Sequence, residues 1–128
     1  MRIRSISLAA VVGLLATACQ TWEPTWSEIS GERYTRADPN RRPTVLLRVG
    51  GESVEFTKAY KVAPGTYRVE VQAPPHDRFS GSAKGFTMQI EACLRYYINA
   101  EFDNRTGPEW TPVIDHVETI AGCRMPAG

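Results

Sequence analysis

The sequence predicts an all-β fold: a small antiparallel β-sandwich of about six to seven strands, preceded by a signal peptide and a short tether. Three observations carry this reading. Apolar and polar residues alternate with period two over most of residues 44–120. Signals rich in Gly, Pro, Asn and Asp separate the alternating stretches at short intervals. No stretch after the signal segment shows the spacing of an amphipathic helix.

The elements follow in chain order. Val45, Leu47 and Val49 alternate with Leu46 and Arg48, a mostly one-sided strand. Gly50-Gly51 then supplies a two-residue turn able to take the positive φ of a tight hairpin. Residues 53–57 return with Val54 and Phe56 on one face, and residues 58–62 continue or bend. Ala63-Pro64-Gly65-Thr66 reads as a type II turn. Tyr67, Val69 and Val71 alternate with Arg68, Glu70 and Gln72, a half-buried strand. Residues 73–85 form a long loop of Pro, Gly and Ser.

Alternation resumes at Phe86, Met88 and Ile90, and again at Leu94, Tyr96, Ile98, Ala100 and Phe102. A single strand over 86–102 would run about 56 Å, too long for one small domain. The chain therefore turns near 91–94, beside Cys93. After a loop at 104–108, residues 110–120 form a last strand. Val113 and Val117 face opposite to Ile114 and Ile120, which predicts a bulge or burial on both faces.

The N-terminus sets the destination. Arg2 and Arg4 precede an apolar stretch from residue 6 to 15 that is too short to span a bilayer. Ala16-Thr17-Ala18 and Cys19 follow, and together they resemble a bacterial lipobox. The departure is Ala16, where Leu is commoner. The resemblance implies cleavage before Cys19 and acylation of its thiol and new amine. Two or three chains, at about 0.8 kcal/mol per buried CH₂, anchor a protein stably. Gln20 stands where an Asp would signal inner-membrane retention, which implies the outer membrane, facing the periplasm. The domains are then residues 1–18 as signal peptide, 19–42 as lipidated Cys and tether, and 43–128 as the β-sandwich.

Composition excludes several classes. The 128 residues carry 15 basic and 14 acidic side chains. Removal of Arg2 and Arg4 leaves the mature chain slightly acidic, unlike a nucleic-acid binder. Hydrophobic residues at 42% and charged residues at 23% fit a folded domain rather than a disordered one.

Three Cys are an odd number for an exported chain. Lipidation accounts for Cys19 and leaves Cys93 and Cys123 to pair in an oxidising compartment. There is no Cys-x-x-Cys and no paired-His spacing, so no metal site and no cofactor are expected.

The stretch Val62-Ala63-Pro64-Gly65-Thr66-Tyr67-Arg68-Val69-Glu70-Val71 resembles a strand of transthyretin-like and carboxypeptidase-regulatory-like β-sandwich modules. Cys93-x-x-Tyr96-Tyr97-Ile98-Asn99-Ala100 resembles the following strand. Trp110-x-Pro112-Val113 and the terminal Gly122-Cys123 resemble small bacterial lipoproteins. The likeness spans about residues 44–123. Its motifs are turns and strands, so it implies a fold and an envelope location, with no catalytic residues to carry over.

The search for chemistry returns no catalytic residue. His76 lies beside Asp77 in the long loop, and His116 beside Asp115 in a strand, where neighbours point to opposite faces. Ser80 and Ser82 lack the Gly-x-Ser-x-Gly elbow. Glu70, Glu91, Glu101 and Glu118 fall on outward positions. The residues singled out instead form a partner surface: Arg95 with Tyr97 on the polar face of one strand, and Ser80, Ser82 and Lys84 in and beside the long loop.

The expected function is a non-enzymatic envelope lipoprotein acting as an interaction or structural module. Its partners are the membrane, through the N-terminal lipid, and an envelope protein. The alternative is a ligand binder or an inhibitor of the lysozyme-inhibitor type, with residues 80–84 as the inserting element.

Overall fold

The computed structural model describes residues 25–32, 38–54 and 59–124. The signal segment, Cys19, Gln20, Trp22, Arg33, Arg36 and Phe56 lie outside the described residues. The described chain is all-β: β1 (Ser27–Ser30), β2 (Arg41–Pro43), β3 (Val45–Val49), β4 (Glu52–Ser53), β5 (Ala59–Val62), β6 (Gly65–Gln72), β7 (Ala83–Ile90), β8 (Leu94–Phe102) and β9 (Trp110–Thr119).

Two sheets result. The first is centred on β8, which pairs with β9 along one edge over its whole length. On its other edge β1 and β2 follow one another: β1 lies parallel to Arg95, Tyr96 and Tyr97, and β2 antiparallel to Asn99, Ala100 and Glu101. β5 closes this side by pairing with β1. The second sheet is antiparallel, in the order β4-β3-β6-β7.

The core lies between the sheets. β8 contributes Tyr96, Ile98, Ala100 and Phe102, and β6 and β7 contribute Val69, Val71, Met88 and Ile90. These are the inward positions that alternation predicts. The expected division of residues 86–102 also holds: β7 belongs to the second sheet and β8 to the first.

Several local expectations are corrected or refined. The tether expected over 19–42 is folded in part. Residues 27–30 are all buried, with Ile29 fully enclosed, and residues 41–42 pair with β8. Parallel pairing to a strand far away in sequence turns this short, mostly polar stretch into a sheet element. In β3, the inward residues are Leu46 and Val49 rather than Val45, Leu47 and Val49. The register with β6 slips between Leu46 and Arg48, so Leu47 is an extra residue and the alternation reverses across it. Gly65 already pairs with Ile90, with φ 156 rather than the roughly +80 of a type II turn. The Pro64 corner thus carries the chain from β5 in one sheet to β6 in the other.

Three glycines have clear causes. Gly50 and Gly51 stand at φ 59 and 86, which makes the β3–β4 connection the tight hairpin expected of that pair. Gly31 passes so close to Thr44 that a Cβ would lie 2.0 Å from the Thr44 carbonyl oxygen. That contact secures a corner: Thr44 N donates to Gly31 O at 2.8 Å, and its hydroxyl donates to Ile98 O at 2.7 Å. The expected bulge in β9 is also present. The β8–β9 register shifts between Tyr97 and Ile98, leaving Asp115 as the extra residue.

Candidate functional site

The outward face of the first sheet gathers most of the charged chemistry. Alternation along β8 sends Arg95, Tyr97, Asn99 and Glu101 to this face. Register then fixes their neighbours. Glu28 on β1 and Glu118 on β9 flank Arg95, and Lys61 on β5 lies beyond Glu28. Four strands therefore present a row of alternating charge, Lys61, Glu28, Arg95 and Glu118.

Arg95 is the centre of this row. Its Nε donates to Glu28 Oε2 and its Nη1 to Glu118 Oε1, both at 2.6 Å. The Tyr97 hydroxyl also donates to Glu118 Oε1, at 2.7 Å, and the Tyr97 ring lies 6.1 Å from that of His116. These contacts shift ionisation. Glu118 is held below the ordinary carboxylate range, first by the Tyr97 hydrogen bond and then by that from Arg95. Tyr97 is pushed up, chiefly by burial. Arg95 is held above its usual value by its bonds to Glu28 and then Glu118.

A second ion cluster lies further along the face. Arg41 Nη1 meets Asp115 at 2.9 Å and Nη2 meets Glu101 at 3.1 Å. Its guanidinium is raised by hydrogen bonds to Asp115 first and Glu101 second. The bulge turns Asp115 to the face that also carries His116, which corrects the expectation that the two point apart. Between the clusters sits Asn99, fully buried, with its amide nitrogen 3.4 Å from Glu32 O.

A glycosidase-type acid needs a raised carboxyl pKa, whereas that of Glu118 is lowered. Among the described residues no group of three or more His, Cys, Asp or Glu is placed to hold a metal. His76 is nearly buried. It stacks on Phe102 with ring centroids 3.9 Å apart, and its Nε2 lies 2.9 Å from Asn104 O.

The five residues expected to form a partner surface fall in two places. Arg95 and Tyr97 share the cluster around Glu118. Ser82 and Lys84 meet at the opposite end of the β8–β9 ladder, around buried Trp110. Trp110 Nε1 donates to Ser82 Oγ at 2.7 Å, and Lys84 Nζ donates to Trp110 O. Ser80 is exposed in the connecting loop.

Cys93 and Cys123 are bonded, with Cα atoms 5.5 Å apart. Cys93 sits at φ 61 in the β7–β8 turn. The bridge lies where the chain enters the sheet: Cys93 N donates to Trp26 O at 3.1 Å, and Thr25 Oγ1 donates to Arg124 O at 3.0 Å.

Sequence reasoning missed Glu28, Arg41 and Asp115 as members of these clusters. Glu28 and Arg41 sat in the presumed tether, and Asp115 reaches its partner only through the bulge. The bulge was the one signal that could have placed Asp115. No family model, curated protein or solved structure matches this chain.

Proposed function

We propose that this chain is a lipid-anchored envelope protein, held by Cys19 at the periplasmic face of the outer membrane. Its sandwich serves as a non-enzymatic interaction or structural module. The observation that carries this reading is how directly the anchor enters the fold. Ser27, the first residue of β1, is the eighth residue after Cys19. β1 is buried, paired on both edges and clamped through Glu28 to Arg95. The Trp26 carbonyl just before it accepts from Cys93 of the disulfide. A pull on the anchor is thus shared at once by the centre of a sheet and by a covalent staple. That construction suits a module that stays attached to a membrane under load.

The inhibitor alternative requires residues 80–84 to project as an inserting loop. Ser82 and Lys84 are engaged with Trp110, which favours the module reading. Crosslinking of whole cells expressing the full-length chain, with Cys19→Ser as the unanchored control, tests it. A stoichiometric envelope protein captured only from the anchored form is expected. No enrichment in either form would contradict the module reading.

A further inference from the structure

An open pocket of about 390 Å³ lies at the end of the sandwich where the chain enters, lined by Thr25, Trp26, Lys61, Val62 and Ala63. Lys61 Nζ stands 5.1 Å from the centroid of the Trp26 ring. The Trp26 indole nitrogen is buried and has no hydrogen-bond partner among the described residues. Val62 and Ala63 make the remaining wall apolar. The position of the pocket matters as much as its lining. Trp26 is the seventh residue after Cys19, and seven extended residues span at most about 25 Å. If Cys19 is acylated, this end of the domain is therefore kept beside the membrane.

Its chemistry suits that surface. Indole rings are favoured at the level of lipid headgroups, where one side is apolar and the other wet. A lysine there lays its stem along apolar surface and offers its ammonium to anionic headgroups. We infer that the pocket is a lipid-contact site for an anionic phospholipid of the anchoring membrane. Lys61 meets the phosphate, and Trp26 with Val62 meets the upper acyl chain. This rests on the anchored reading and adds to it: the domain is oriented on the membrane, with the outward face of its first sheet held at a fixed angle to the bilayer.

The test uses the full chain, purified from membranes and reconstituted into vesicles of brominated phosphatidylglycerol and unbrominated phosphatidylcholine in equal parts. Trp22→Phe removes one indole. Trp110 is 2% exposed and supplies a shielded baseline, isolated in Trp22→Phe/Trp26→Phe. Brominated chains are expected to quench the Trp26 contribution about twofold relative to unbrominated vesicles. Lys61→Glu is expected to abolish the excess quenching by brominated phosphatidylglycerol over brominated phosphatidylcholine at the same bromine content. Lys61→Gln, read through Trp26 itself, makes the same test with little demand on folding. Mass analysis of the Cys19 peptide accompanies each sample. An acylated, vesicle-bound chain whose Trp26 is unquenched, or whose quenching ignores Lys61, overturns the lipid-contact site and leaves the anchor standing. An unacylated Cys19 overturns both.

Discussion

Arg95 Nε lies 2.6 Å from Glu28 Oε2, joining the central strand of the first sheet to β1. The Glu28 side chain is only 11% exposed. Loss of the arginine would leave a nearly buried carboxylate without its cation, a costlier change than losing a surface pair. Arg95 itself is about a third exposed, which tempers the effect. Arg95→Met is expected to lower unfolding stability by about 2 kcal/mol, measured by denaturant titration. The double variant Glu28→Gln/Arg95→Met is expected to lose less than the sum of the two single changes.

The same cluster sets the response to pH. The folded-state pKa of Glu118 lies below its unfolded value, so the unfolded chain takes up the proton first as pH falls. Its contribution to stability is present above the ordinary carboxylate pKa and fades as pH drops below about 4.5. Tyr97 has the opposite sign. Its folded pKa is raised, so its contribution is present below about pH 10 and is lost as pH rises further. Tyr97→Phe is expected to flatten the alkaline limb of the stability profile. It also removes the leading cause of the Glu118 shift. NMR titration of Glu118 in that variant is expected to show its pKa moving up toward the ordinary value.

The Cys93–Cys123 bridge closes a loop with a sequence separation of 30. The chain-entropy model assigns such a loop roughly 3.5–4 kcal/mol. Cys93→Ala/Cys123→Ala is expected to lose about that much. Protection from amide exchange is expected to fall first at β1, because the Trp26 carbonyl is held by Cys93 N. Equal loss of protection in both sheets would contradict this link between staple and entry strand.

Gly31→Ala tests the corner between β1 and β3. The new methyl would lie 2.0 Å from the Thr44 carbonyl oxygen, so backbone must move. A loss of about 1–3 kcal/mol is expected in denaturant titration.

What was legible in the sequence followed from local rules. The Gly50-Gly51 hairpin, the strands carrying Val69, Met88 and Ile98, the turn beside Cys93 and the bulge in β9 each rest on period-two alternation or on turn chemistry. β1 was not legible, because Ile29 is its only fully buried apolar side chain and its partners Arg95 and Tyr96 lie more than sixty residues away. β2 was hidden because Arg41, Arg42 and Pro43 carry no apolar alternation and fall at the boundary of the expected tether. The site divided in the same way. Arg95 and Tyr97 were visible as outward residues of one strand. Their carboxylate partners come from strands whose register no local pattern encodes.

The central claim is the proposal that Cys19, eight residues before β1, is a lipid anchor. Intact mass of the native chain, extracted from membranes with detergent, tests it most directly. A chain that begins at Cys19 and carries a diacylglyceryl group, with or without an acyl group on its amine, is the predicted result. A chain that retains residues 1–18, or a mature chain with an unmodified Cys19, would contradict the account.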